Sequence, residues 1–307
     1  MIEKRHTGKL RGVLAVFQTP FDEHDESIDA ATLEKQIDWI FEQGANGIVM
    51  AMASETLRLD SDERQELAEL ACKFGRQRGA VVISVGAESN RVVDRYAKHA
   101  QDSGADAVMA IPPVSVALSN DQLADYYRRL IETVAIPVIV QDASNYVGRP
   151  MPVAMQASLL NEYGPERVQY KPEASPVGPL LTALLQATSG QARVFEGSGG
   201  ISLIDNFRRG VVGTMPAADV VDALVAMWNA LEAGDDQRAY RIQGPLGAMI
   251  VQMVNLDAYM AIEKYVLVKR GIFKNTHMRG PVGYKLDDQT RQEIDRLYDL
   301  LMDAVNN

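Results

Sequence analysis

At 307 residues, with 47% hydrophobic and 23% charged positions, the chain has room for one large domain or two ordinary ones and the make-up of an ordinary soluble protein. A net charge of −10 and a pI near 5.0 argue against a general nucleic-acid or polyanion binder, while a local pocket could still take a small anion. The single cysteine, Cys72, excludes an internal disulfide framework and fits a reducing cytoplasm; no apolar run approaches the roughly 18 residues of a membrane span, and Met1–His6 carries no apolar signal segment.

In chain order, short apolar runs alternate with helical patterns. Strands are predicted at Gly12–Gln18, Gly47–Ala51, Val81–Val85, Ala107–Ile111, Pro137–Gln141, Val168–Lys171, Arg193–Glu196 and Val211–Thr214. Between them, helices are predicted at 30–43, 61–77, 90–103, 121–134, 152–162, 177–188 and 200–209, with another at 217–233. Each strand run is almost continuously apolar, as a parallel sheet buried on both faces requires. Eight such units predict the α/β class: a closed (β/α)8 TIM barrel over 1–233. Further helices at 236–255, 257–270 and 288–305, broken at Gly234, Gly271 and Gly280-Pro281, predict a C-terminal helical extension over 234–307 packed on the barrel. A doubly wound sheet is the other arrangement, but the first strand runs into Gln18-Thr19-Pro20-Phe21 rather than a glycine-rich phosphate loop.

In such a barrel the reactive groups sit at the C-terminal ends of strands and in the loops that follow. Those positions supply Thr19, Ser54, Glu55, Gln141, Asp142, Lys171, Glu173, Glu196 and Ser198. Lys171 is the only lysine among them. In a mostly apolar mouth its charged form is disfavoured, which frees the amine to attack a ketone and form a Schiff base. Taken alone, the same residue reads as a solvated lysine at a strand end. Glu173 could pair with the amine or move protons beside it; it equally suits the acid preference ahead of a helix opening at 177. Ser54-Glu55 also fits a plain loop before the helix start at Ser61-Asp62-Glu63-Arg64. The run Glu196-Gly197-Ser198-Gly199-Gly200 could present N–H groups to a carboxylate or to hydroxyls, or form a tight turn. Cys72 reads as a small core residue of an amphipathic helix, and His6, His24, His99 and His277 lack the spacing of a metal site.

These residues resemble the dihydrodipicolinate synthase / N-acetylneuraminate lyase superfamily of Schiff-base-forming class I lyases. The likeness runs through Thr19-Pro20-Phe21, Glu42-Gln43-Gly44-Ala45-Asn46-Gly47, Ser54-Glu55 with Leu59 and Asp62-Glu63-Arg64, Ile111-Pro112-Pro113, Lys171 and Glu196-Gly197-Ser198-Gly199. It implies that Lys171 is the Schiff-base lysine, that the loop after the second strand cradles a carboxylate, and that the chain forms a homotetramer or dimer of dimers. That loop, usually Gly-Thr-Thr-Gly-Glu, is here Ala51-Met52-Ala53-Ser54-Glu55. The relay tyrosine of the fifth strand falls at Gln141, a second relay tyrosine at Val114, and the substrate-gripping arginine near Tyr146. These losses argue against dihydrodipicolinate synthase itself and against a sialic-acid lyase. Ser54-Glu55, Val140-Gln141-Asp142-Ala143 and Lys171-Pro172-Glu173 resemble instead the 2-keto-3-deoxy-L-arabonate (pentonate) dehydratase branch.

The resulting expectation is a cytoplasmic lyase that dehydrates a 2-keto-3-deoxy sugar acid. Lys171 forms the imine, Glu173 takes the C3 proton and Gln141 helps orient the substrate. Ala53, Ser54, Glu55, Asp142, Gly197 and Ser198 contribute to binding. No metal or organic cofactor is needed, since the lysine imine is the electron sink. An aldolase or a pyruvate-condensing synthase shares the imine and stands as the alternative, with a non-catalytic keto-acid-binding relative as a third possibility.

Overall fold

The computed structural model describes residues 10–144 and 149–307. Eight strands succeed one another as β1 (Gly12–Val16), β2 (Gly47–Met50), β3 (Ala80–Ser84), β4 (Ala107–Ala110), β5 (Val138–Asp142), β6 (Val168–Pro172), β7 (Phe195–Glu196) and β8 (Gly213–Thr214). The helices α1 (Ala30–Glu42), α2 (Ser61–Gly75), α3 (Asn90–Ser103), α4 (Asn120–Thr133), α5 (Val153–Tyr163), α6 (Val177–Ala187), α7 (Leu203–Arg209) and α8 (Val221–Glu232) each follow one strand. Beyond them lie α9 (Asp236–Val251), α10 (Leu256–Lys269) and α11 (Asp288–Asn306). Helix starts follow local chemistry. Asp60 accepts from the N–H groups of Asp62 and Glu63 while Glu63 reaches back to the Asp60 N–H, and Ser119 with Gln122 repeats the arrangement at α4.

All strand pairs are parallel, in the order β6-β5-β4-β3-β2-β1-β8-β7. The ends of that order meet through a bridge between Tyr170 and Val194, with the Tyr170 N–H donating to the Arg193 carbonyl at 2.9 Å, so the sheet closes into a (β/α)8 TIM barrel. The strands sort their side chains by parity. Leu14, Val16, Val49, Val82, Met109, Ile139 and Phe195 form one cluster inside the barrel. Val13, Ala15, Ile48, Val81, Val108, Val138, Val140 and Tyr170 belong to a second cluster between sheet and helices.

Among the helices of the C-terminal extension, α9 packs against α8 and α11, and α10 returns to the mouth of the barrel. Its Lys264 is fully buried, pairs with the equally buried Glu55 in the loop after β2, and donates to the His277 carbonyl at 2.6 Å. Burial pulls the Lys264 ammonium below its ordinary range while Glu55 pushes back. The segment that follows α10 lies against the same loop: the Arg279 guanidinium grips Glu63 with two bonds of 2.6 Å, and its backbone N–H reaches Glu55 at 3.3 Å. Removing one member of a buried pair leaves the other charge uncompensated. Lys264→Met is therefore expected to lower the unfolding free energy by about 3–5 kcal/mol in urea titrations, whereas Lys274→Met, at an exposed pair with Asp29, is expected to cost about 1 kcal/mol or less.

Candidate active site

Strand parity places the reactive groups. On β6, Val168 and Tyr170 face the helices, and the Tyr170 hydroxyl donates to the Gln156 carbonyl at 2.7 Å, so Lys171 faces into the barrel. On β5, Val138 and Val140 face outward and Gln141 inward, in register with Lys171. Two residues on, Glu173 returns to the same side. Its Oε1 accepts from Lys171 Nζ at 2.7 Å, and its Oε2 accepts from Gln141 Nε2 at 2.9 Å. All three side chains are buried. Burial pushes the Glu173 carboxyl above the usual carboxylate range, and the Lys171 charge and the Gln141 amide oppose that rise.

These groups line a cavity at the C-terminal end of the barrel. Val16, Ala51, Met215 and Ala217 form its apolar floor, and Gly197 and Gly199 form one side. A Cβ on Gly197 would stand 2.9 Å from Glu173 Cγ and 3.2 Å from Lys171 Cε, so this position is bare because the ion pair occupies the space. Gly199 adopts a φ of 71° and leaves room for the Tyr259 hydroxyl.

Several expected binding residues lie elsewhere. Ser54 is buried with its hydroxyl committed: Oγ donates to the Phe17 carbonyl at 2.5 Å and accepts from the Ala51 N–H at 3.1 Å. Thr19 likewise donates to the Ser54 carbonyl at 2.6 Å. It is Met52 and Ala53, opening the 3₁₀ turn Met52–Ser54, that line the cavity. Glu55, at a φ of 57°, points away to Lys264. Asp142 has the opposite parity to Gln141, and its carboxylate accepts from the N–H groups of Ser144 (3.0 Å) and Met151 (2.6 Å), bracing the loop after β5. Ser198 is tied through its hydroxyl and N–H to Glu196, which also accepts from Thr214 Oγ1 at 2.6 Å. Val114 is exposed at the rim, its N–H bonded to Glu88. Tyr146 lies outside the described residues. Cys72 is buried on the core side of α2, and burial pushes its thiol up to about 12, so it stays protonated.

The fourth wall was not anticipated. Leu256, Tyr259 and Glu263 recur at helical spacing along α10 and line the cavity from the C-terminal extension. Glu263 is fully buried, and Gln18, at the end of β1, donates its amide N–H to Glu263 Oε2. Burial and the neighbouring Asp219 push the Glu263 carboxyl well up, with Lys264 opposing. Asp219 is itself fully buried, and burial pushes it up to about 7. A scan restricted to strand ends misses this face. The signal was the Glu263-Lys264 pair in an otherwise apolar stretch of helix.

The model of the family described as the dihydrodipicolinate synthetase family matches residues 9–299. An L-2-keto-3-deoxyarabonate dehydratase from Azospirillum brasilense is 26% identical over 295 residues, covering 94% of this chain and 93% of its own. A 4-hydroxy-tetrahydrodipicolinate synthase from Acidiphilium cryptum is 31% identical over 149 residues, covering 48% of this chain and 51% of its own. Among solved structures, a dihydrodipicolinate synthase from Rhodopseudomonas palustris superposes with a TM-score of 0.86 at 26% identity, over 95% of this chain and 97% of its own.

Two outcomes follow from the geometry. Gly197→Ala overpacks the ion pair and is expected to lower stability by about 1–3 kcal/mol. Its larger effect should be on Lys171, whose rate of reductive trapping by a keto acid should fall at least about tenfold. Asp219 holds a proton in the native state that the unfolded chain releases near pH 4, so its contribution to stability is present below that pH and is lost as pH rises toward about 7. Unfolding titrations from pH 4 to 8 should therefore show a fall to which Asp219 contributes up to about 4 kcal/mol, and Asp219→Asn should reduce it.

Proposed function

The chain belongs to the dihydrodipicolinate synthetase family, it is a lyase, and from that membership we propose that it dehydrates a 2-keto-3-deoxy sugar acid of the pentonate type through a Schiff base on Lys171. The observation that carries the reading is the buried chain Lys171–Glu173–Gln141 facing a cavity at the mouth of the barrel. The full-length likeness to an arabonate-type dehydratase supports the substrate class.

An amine attacks a ketone only after losing its proton, and Glu173 Oε1 stands 2.7 Å from Nζ to receive it. Attack at C2 gives a carbinolamine, whose hydroxyl takes the proton back from Glu173 and leaves as water, giving a protonated imine and restoring the carboxylate. The substrate carboxylate fits against the opening N–H groups of the 3₁₀ turn at Met52 and Ala53, since the first N–H groups of a helical turn have no acceptor inside it. The imine draws electrons from C3, and Glu173, whose basicity burial raises, removes a C3 proton. Gln141 holds the other carboxylate oxygen and keeps Oε1 turned toward the amine. The enamine then expels the C4 hydroxyl, and hydrolysis frees a keto acid lighter by one water. The covalent imine is the electron sink, so the scheme calls for no resident cofactor. Its one partner besides further copies of the chain in a homo-oligomer is a small keto acid in the cytoplasm.

Aldol cleavage or pyruvate condensation is the second reading, favoured by the synthases among the relatives. Gln141 counts against it, because an amide cannot relay a proton as the family's strand-5 tyrosine would. Borohydride reduction in the presence of a 2-keto-3-deoxypentonate should add the ligand's mass to the Lys171 peptide, and Lys171→Ala should lose at least about 10³-fold in turnover. Product mass separates the chemistries: one unbroken skeleton less a water means elimination, and pyruvate plus an aldehyde means cleavage. An unlabelled Lys171 at saturating keto acid overturns the Schiff-base proposal.

A further inference from the structure

We infer that Glu263, presented by α10 across the cavity from Lys171, is a catalytic residue: the general acid that protonates the departing C4 hydroxyl. The inference rests on the dehydratase reading above and adds the group that reading lacks. Expulsion of hydroxide from the enamine is slow unless a proton reaches the oxygen as the C4–O bond breaks. Lys171, Gln141 and Glu173 are engaged on the imine side, and Ser54, Asp142 and Ser198 have their side chains committed to the protein.

Glu263 has the position and the hydrogen-bond pattern for the task. It lines the same cavity as Lys171 and Glu173. Of its two carboxyl oxygens, Oε2 accepts from Gln18, whereas Oε1 is buried with no hydrogen-bond partner among the described residues. A carboxylate left this way would lack one of the partners a buried charge requires, and the neutral acid with its proton on Oε1 has the smaller desolvation cost. The surroundings agree. Asp219, from the segment before α8, is buried nearby and would add a like charge if ionised; Lys264, on the same helix, is spent on Glu55; Lys171 and Glu173 line the same cavity. Two neighbouring buried acids disfavour ionisation of both.

In the proposed step, the nitrogen lone pair of the enamine re-forms the iminium, and the C2=C3 pair moves to form C3=C4. The C4–O bond breaks with its electrons on oxygen, and the Oε1 proton of Glu263 converts that oxygen to water. Glu263 is left as the carboxylate and regains, through solvent, the proton that Glu173 took from C3. The sum is substrate to unsaturated keto acid plus water.

The test is Glu263→Gln, which keeps the size and the acceptor facing Gln18. It should still trap keto acid on Lys171 at close to the wild-type rate, which also reports that it is folded, while turnover of a 2-keto-3-deoxy acid falls about 10²- to 10⁴-fold. A 4-acetoxy analogue, whose leaving group needs no proton, should restore most of the variant's rate. Glu263→Asp, retaining a shorter acid, should fall between the two enzymes. Turnover by Glu263→Gln within about threefold of wild type, or no rescue by the acetoxy analogue, overturns the inference. Should Glu263→Gln fail to fold, Glu263→Asp carries the test: a normal hydroxyl-substrate rate together with no relative gain on the acetoxy analogue overturns it. Loss of Lys171 trapping in the wild-type enzyme would instead overturn the dehydratase reading beneath it.

Discussion

The mouth of this barrel is organised around one short, almost wholly buried ion pair, Lys171 to Glu173. Burying two charges is costly, and their attraction offsets that cost only when the remaining lone pairs are also satisfied. Here Gln141 supplies the extra bond, and it can do so because β5 and β6 place Gln141 and Lys171 in register with the same parity. The constraint then spreads outward. Gly197 must lack a side chain to leave the pair its space. A register slip of one residue on β6 would turn Tyr170 inward and Lys171 out among the helices.

The C-terminal extension is part of the same arrangement. Helix α10 carries adjacent residues with opposite duties: Lys264 fastens the helix to Glu55 behind the loop of β2, and Glu263 faces the cavity. The anchor therefore fixes the height over the barrel floor of Glu263, its neighbour in sequence, and of Tyr259, about one and a half turns back along the helix. It also explains Glu55. In the sequence it looks like a substrate-binding acid beside Ser54, but its φ of 57° and its buried partner make it the far end of that fastening.

The order and type of the elements were legible in the chain, because buried parallel strands are nearly pure apolar runs and the helix starts carry their own caps. The site was legible only where strand parity and reactivity coincided. Lys171, Gln141 and Glu173 obey both, as does Gly197. Asp142 is adjacent to Gln141 in sequence, yet parity sends it to brace the following loop. Ser54 and Ser198 sit in the right loops, but their hydroxyls close turns, a use that residue type alone does not separate from ligand binding. Glu263 was hidden for a different reason. It arrives from about ninety residues beyond Lys171 on a helix outside the eight-unit repeat, and only the fold shows that this helix crosses the mouth.

Elimination and carbon–carbon cleavage share an imine and separate according to where protons can go. Cleavage needs a base at the C4 hydroxyl; elimination needs a base at C3 and an acid at that same oxygen. Burial raises both carboxyls of this cavity, and they differ in the charge beside them. Glu173 lies against the lysine, whose positive charge opposes the rise that burial imposes on its carboxyl. Glu263 lies against another buried acid, where ionisation is opposed. Like groups with neighbours of opposite sign are the arrangement from which the proposed scheme assigns one to base work and the other to acid work. In the proposed scheme a neutral carboxyl at Glu263, rather than a tyrosine relay, would make the C4 oxygen an acceptor of protons, and an oxygen that receives a proton leaves as water.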